Sequence, residues 1–310
     1  MPKVTVLIAT YNRAHYICEA VDSVLAQAYK DYEIIIVDDG STDKTREVLQ
    51  KYADKISYLY KDHKNQAAAL NFGISRSKGE YIAFLDDDDI WLPNKLTVQI
   101  PVFEKDLEIG IVGAEMYLTN EKDEITSHWK RAQNLQENFA SLYDYNCLGF
   151  PSVVARKSCI EKVGGFDEGL VTTQDYDLWL RMAPICKFRC LDVPLVKWRI
   201  HGMNKHKNRE QKLKDRLYVV TKPGNISHLT FIQRKARIAK EYYNHGQYFQ
   251  DMRQYGLAVR TYFKAVIICP FIGYYYPIAD MKGIRSTAFY KVLRTYLKIF
   301  YCFWEGIRKK

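Results

Sequence analysis

Over the first hundred residues, short apolar runs alternate with longer segments of helical periodicity. Residues 4–9 form a run rich in β-branched side chains, followed by a helical pattern over 14–28. Residues 33–37 (EIIIV) form a second run, followed by a polar loop and a helix over 43–53. A third run covers 56–60 ahead of a helix at 67–77, and a fourth covers 81–85. Strand starts recur every ~25 residues, which leaves room for helical crossovers, so the four strands are predicted to lie parallel. Their hydrophobicity is continuous rather than alternating, the pattern of strands buried on both faces. The expected fold is α/β, a sheet covered by helices.

Past residue 100 the pattern loosens. Residues 110–118 read as a strand pair, and 119–147 as a polar, loop-rich insertion. Residues 150–155 and Lys187–Arg199 read as strands flanking a helix near Gln174–Met182. Beyond about residue 220, helices dense in aromatics take over: 19 of the last 90 residues are Phe, Trp or Tyr. The predicted division is an α/β domain over 1–220 and an α-helical C-terminal region over 221–310. No repeat of fixed period is visible, although 242–270 resembles a single helix-pair unit.

Composition sharpens this division. Residues 221–310 hold 16 basic and 4 acidic residues, whereas residues 1–220 hold 30 and 32. The overall charge of +10 is therefore that of a near-neutral body with a basic tail. A uniformly basic nucleic-acid protein is excluded, and no nucleic-acid partner is expected. The seven cysteines form no CxxC pair, and strand-like VTVLIA begins at Val4 where a signal peptide would run. Free thiols in a reducing cytoplasm are expected. The longest uncharged apolar stretch, 265–279, is 15 residues long. Spanning a bilayer takes ~20, so no membrane span is expected.

Ligands of open parallel sheets bind beyond the carboxyl ends of the strands. Here strand one is followed by Thr10-Tyr11-Asn12, strand two by Asp38-Asp39-Gly40-Ser41, and strand four by Asp86-Asp87-Asp88-Asp89. No GxGxxG or GxxxxGK[ST] phosphate loop is present. Acidic clusters standing where a phosphate should bind need a cation between, and the hard divalent ions Mg²⁺ and Mn²⁺ bridge carboxylate and diphosphate. The bland alternative for these aspartates is a solvated turn capping the helix that starts near Pro93.

TYN after the first strand, VDDGSTD after the second and GEYIAFLDDDDIWLPNKL around the fourth resemble the inverting family-2 glycosyltransferases of the GT-A fold, a Rossmann-like sheet with a DxD motif. GGFDE (residues 164–168), QDYDLWLRM (Gln174–Met182) and RIHGMN (residues 199–204) follow in the order and spacing of that family, so the likeness spans about residues 3–205. The resemblance implies a nucleotide-sugar site formed by Thr10, Tyr11, Asp39, Asn71, Asp86 and Asp87. Asp88 would be the direct metal ligand and His201 a second contact near the diphosphate. For His201 a purely structural role is equally open, as is a bracing role for Asn71. Asp175 matches the family's catalytic carboxylate, the base that takes the proton of the acceptor hydroxyl. Its alternatives are a role in helix capping and replacement by Asp177 two residues on.

Two positions depart from the family pattern. Gln174 stands where an acid usually precedes the base, and Ala67, in NQAAALN, stands where glycine is common. The function implied is transfer of a sugar, by default from a UDP-sugar with Mn²⁺ or Mg²⁺, to a saccharide or lipid-linked glycan in bacterial surface polysaccharide synthesis. Rival readings are a sugar nucleotidyltransferase, which would open with a glycine-rich basic loop where TYNRAHY has no glycine, and an inactive membrane-bound scaffold.

In residues 289–310, Phe289, Leu293, Tyr296, Leu297, Phe300, Phe303, Trp304 and Ile307 recur at helical spacing. Lys291, Arg294, Lys298, Glu305 and Lys309 fall largely on the other side. Either the stripe packs on the rest of the protein, or the helix lies in a membrane interface with lysines meeting anionic lipid. The second reading makes the protein cytoplasmic and peripheral on the inner face of the cell membrane.

Overall fold

A computed structural model of the chain describes residues 1–131, 136–202, 209–270 and 288–308. The chain forms two compact units, Met1–Lys205 and His206–Lys310. The helix Arg209–Thr221 thus belongs to the second unit, ahead of the expected division at 220.

The first unit is built on a nine-stranded sheet. Strands β1 (Val4–Thr10), β2 (Tyr32–Asp38), β3 (Ser57–Tyr60) and β4 (Tyr81–Asp86) pair in parallel in the order β3-β2-β1-β4. Helices α1 (Ile17–Leu25), α2 (Thr45–Leu49) and α3 (Gln66–Arg76) make the crossovers. All seven residues of β1 are buried, which is why its sequence does not alternate. Val4, Val6 and Ile8 share a core with Ile17, Val21 and Val24 of α1.

The rest of the sheet is mixed. The two-residue strand β5 (Ile90–Trp91) follows the aspartate cluster and leads through α4 (Lys95–Lys105) to β6 (Ile109–Thr119) and β7 (Ile125–Trp129). Then come α5 (Phe139–Asp144), β8 (Val154–Arg156), α6 (Lys157–Lys162), α7 (Gln174–Met182) and β9 (Lys187–Arg199). β8 pairs antiparallel with both β4 and β6, β6 runs parallel to β9, and β5 pairs antiparallel with β9. Residues 110–118 are therefore one long strand rather than a pair, and the segment 119–147 contains both β7 and α5. A turn at Asn120, whose side chain accepts from the amides of Lys122 and Glu124, folds β7 back on β6. β7 has largely polar, exposed residues because β6 is the strand it pairs with, at the margin of the sheet. Within 150–155, Pro151 sits in a 3-10 turn, Phe150–Ser152, which leaves only three residues for β8.

Lys95, in the first turn of α4, is completely buried. Its Nζ donates to Gln99 Oε1 at 2.7 Å and lies 4.1 Å from the centre of the Trp91 ring. Burial pushes its pKa well below 10.5. The unfolded chain then binds a proton that the folded chain does not, so stability rises with pH between the folded value and 10.5, by up to about 1.4 kcal/mol per pH unit. Melting of wild type and Lys95→Met from pH 7 to 10 checks this. Wild type should gain relative to the variant as pH rises, and parallel curves would refute the assignment.

The second unit is helical: α8 (Arg209–Thr221), α9 (Pro223–Ile226), α10 (Phe231–Asp251), α11 (Tyr255–Ile268) and α12 (Ala288–Arg308). Thr230 and Gln233 form a reciprocal capping box at the start of α10. Residues 242–270 are the end of α10 and the whole of α11, a helix pair sharing a core of Tyr243, Phe249, Ala258, Tyr262 and Ala265. Burial pushes the Glu241 carboxyl up, but Arg237 and Arg216 beside it more than offset this and hold it ionised, below its ordinary range. Among the described residues, no helix is long and apolar enough to cross a membrane. Residues 271–279 of the apolar stretch lie outside the described residues, as do Met203 and Asn204 of RIHGMN.

Candidate functional site

The carboxyl ends of β1, β2 and β4 lie side by side, Thr10 opposite Asp38 and Ala9 opposite Asp86. Thr10 is buried, and its hydroxyl has no hydrogen-bond partner among the described residues. Asn12 adopts φ 53°, and its side-chain oxygen accepts from the amides of Thr42 and Asp43, lacing the loop after β1 to the loop after β2. Asp38 is spent on structure, accepting from the Ser41 amide at 2.7 Å and the Tyr58 hydroxyl at 2.6 Å. Asp39 faces the other loop, with Lys61 Nζ at 2.6 Å and the Lys64 amide at 3.2 Å. Tyr11 stacks on His63 with ring centres 4.1 Å apart, an aromatic shelf beside Asp39. The close approach of His63 requires Gly40, at φ +84°, because a Cβ there would lie 2.8 Å from the His63 nitrogen.

The four aspartates have different surroundings. Asp86 accepts from Gln66 Nε2 at 3.0 Å. Asp87 and Asp88 face the Arg13 guanidinium at 3.6 and 3.8 Å, and Asp88 Oδ2 meets His201 Nε2 at 2.9 Å. The His201 ring is buried against Tyr16. Asp89 is fully buried and accepts from the Arg199 amide at 2.8 Å, tying the turn to the end of β9. Burial, then the charges of Asp88 and Asp86, push its carboxyl well above the usual range. Asp89 thus anchors the turn, and the three aspartates before it are partly exposed.

Helix α7 brings the remaining carboxylates. Thr173, its N-cap, has φ 59°, a strained value for a β-branched residue, and its hydroxyl makes no cap bond. Gln174 Nε2 donates to Gln66 Oε1 at 3.1 Å, and Gln66 in turn donates to Asp86. Two hydrogen bonds therefore connect the residue preceding Asp175 to the aspartate cluster. Asp175 is half-buried in the first turn of the helix, where an anionic side chain is stabilised. Asp177 is fully buried and accepts from Arg181 Nε at 2.8 Å, and the Nη1 and Nη2 of that guanidinium donate to the carbonyls of Val163 and Gly165. It is a brace, and of the two carboxylates Asp175 is the one near solvent.

Asn71 is a brace as well. Its amide donates to Phe166 O and Glu168 Oε1 and accepts from the Phe166 amide, so it holds the loop 164–168. A Cβ at Gly165 would lie 2.6 Å from its Oδ1. Glu168 also binds Lys64, and these partners, Asn71 first, hold its carboxyl below its usual range.

Among the described residues no three His, Cys, Asp or Glu side chains converge as a ready-made metal cage. Asp88, with the Asp86 and Asp87 carboxylates next to it, nonetheless fits a Mg²⁺- or Mn²⁺-type ion, which binds one or two carboxylates and completes its shell with phosphate oxygens. Sequence reasoning passed over Arg13, His63 and Gln66. The signal for the first was its place directly after Tyr11-Asn12; the other two are recognisable only from contacts across loops.

The Glycosyl transferase family 2 model matches residues 5–164. The chain is 39% identical over 210 residues to an uncharacterized glycosyltransferase of Rickettsia typhi, covering 64% of either chain, so it spans less than two thirds of that relative. A glycosyltransferase of Nostoc is 35% identical over 219 residues, 66% of either chain. In fold, the chain is similar to S. aureus TarS 1-349 in complex with UDP-GlcNAc (TM-score 0.66, 14% identity, 98% of this chain and 92% of that one). It is also similar to the mannosyltransferase PcManGT from Pyrobaculum calidifontis in complex with GDP-Man and Mn²⁺ (TM-score 0.63, 18% identity, 97% and 87%).

Proposed function

Because this chain belongs to glycosyl transferase family 2, we propose that it moves a sugar, with inversion, from a nucleoside diphosphate donor to a hydroxyl of a saccharide or lipid-linked glycan. The observation that carries the reading is the hydrogen-bonded path Gln174–Gln66–Asp86, which ties the helix of the candidate base to the aspartate cluster.

Tyr11, Thr10 and Asp39 receive the nucleoside, Tyr11 offering a ring face to the base and Asp39 a carboxylate. Asp86 and Asp87 lie toward the ribose and diphosphate, and Asp88, backed by His201, would be the direct ligand of a Mg²⁺ or Mn²⁺ ion. Such an ion supplies Lewis-acid stabilisation of the departing diphosphate. Arg13, facing Asp87 and Asp88, adds a positive charge at the same place. Asp175 takes the proton of the acceptor hydroxyl as that oxygen bonds to the anomeric carbon and the bond to the diphosphate oxygen breaks. One displacement inverts the configuration. Asn71 acts by holding the loop 164–168 rather than by touching the donor.

UDP is the first choice of base, although proteins of this fold have been captured with UDP-GlcNAc and with GDP-Man. A lipid-linked acceptor in surface polysaccharide synthesis would make the enzyme peripheral on the inner face of the cell membrane. Melting with UDP, GDP, CDP and dTDP, each with and without Mn²⁺, tests the donor reading. A nucleotide at ~100 times its dissociation constant adds about 2.7 kcal/mol, a shift of a few degrees. One nucleotide should stabilise, and only with metal. Failure of all four would favour the scaffold reading.

A further inference from the structure

Helix α12 carries two rows of side chains with opposite fates. Ile299 and Cys302 are buried, at 8% and 0% exposure, in the core shared with Tyr243, Ala258 and Tyr262. Gly306 continues that row, its Cβ position lying 3.6 Å from Tyr255 Cβ. Tyr296, Phe300, Phe303 and Trp304, at three- and four-residue spacing, are 43%, 69%, 57% and 51% exposed. The two rows stand about a third of a turn apart. Packing of α12 on its own unit therefore leaves the aromatic stripe unused. Helix α11, on which α12 packs, exposes Phe263 and Ile267 as well. A continuous apolar stripe on a helix surface marks an interaction site, unlike scattered single residues.

Charge selects the occupant. The segment 221–310 carries four basic residues for every acidic one, whereas the preceding 220 residues are almost balanced. The Arg308 guanidinium lies 5.3 Å from the centre of the Trp304 ring, so a cation borders the stripe. Aromatic rings edged by cations suit the headgroup layer, where rings enter the interface and cations meet lipid phosphate. A second copy would bring the same positive charge to the stripe and be repelled.

We propose that α12 docks the protein on an anionic phospholipid surface, with Tyr296, Phe300, Phe303 and Trp304 in the headgroup region. This deepens the reading of a membrane-peripheral transferase and rests on it for its purpose, while the binding itself can be measured without activity. The 310-residue chain is floated with phosphatidylcholine vesicles and with mixed phosphatidylcholine–phosphatidylglycerol vesicles, beside the double variant Phe300→Ser, Trp304→Ser. Wild type should float with the mixed vesicles, little with phosphatidylcholine alone, and less at high salt. The variant should lose about tenfold or more of the bound fraction with its melting temperature unchanged. Wild type that stays unbound, or a variant that floats as wild type does, overturns the proposal. So does light scattering that finds a dimer which the double variant abolishes. Nucleotide-and-metal melting on the same preparations separates the two readings: it can persist while docking fails, or fail while docking persists.

Discussion

Asp175→Asn is expected to lower transfer by at least about a hundredfold, the scale on which a positioned general base acts. The amide keeps the shape of the carboxylate but cannot take up the acceptor proton. Donor binding should survive, because the residues assigned to the nucleoside and diphosphate lie on the β1, β2 and β4 loops and Asp175 lies on α7. The pair of measurements is initial transfer rate and the nucleotide-dependent melting shift. Asp177→Ala is the informative contrast. It strips the partner from Arg181, which also holds the Val163 and Gly165 carbonyls, and leaves a charge uncompensated beside the core. Loss of one partner of a buried pair costs about 3 kcal/mol, so Asp177→Ala should melt early whatever its residual activity. Turnover by Asp175→Asn above about a hundredth of wild type would mean that another group is the base.

Asp88→Ala should abolish the metal-dependent part of nucleotide binding. The expected loss is the whole shift that Mn²⁺ adds to the cognate nucleotide, about 2.7 kcal/mol at ~100 times the wild-type dissociation constant. The apo protein should melt close to wild type, since Asp89, not Asp88, anchors the turn through the Arg199 amide. Removing Asp88 also strips His201 Nε2 of its carboxylate partner. A metal-dependent shift retained in Asp88→Ala would move the ligand role to Asp86 or Asp87, and the assignment of Asp88 would fail.

The parallel half of the sheet was legible because β1, most of β2 and β4 are buried on both faces, so local hydrophobicity reports their environment directly. β3, at the edge of the sheet, is half exposed and was legible from its spacing after the second helix. The aspartates were legible for a related reason: charged runs at the ends of apolar strands have few structural uses. β7 escaped, although its partner is the neighbouring β6, because a polar margin strand looks like a loop. The expected strand over 150–155 shrank to the three residues of β8 because Pro151 holds the residues before it in a turn. The roles of Asn71 and Asp177 needed coordinates, since whether an amide or carboxylate faces a ligand or a neighbouring loop is not encoded in its residue type. The same holds for the path through Gln66, whose two partners lie 20 and 108 residues away.

The aromatic stripe of α12 shows where this division falls. Helical spacing alone determined that such a stripe exists, because periodicity is a property of consecutive residues. Whether it is packed or exposed was decided by the tertiary structure, in which Ile299 and Cys302 are buried against the helix pair while Tyr296, Phe300, Phe303 and Trp304 stay exposed. The sequence by itself determined the family, the parallel strands and the acidic residues at their ends. The tertiary structure decided which of those residues brace loops and which stay partly exposed, because that depends on contacts between segments distant along the chain.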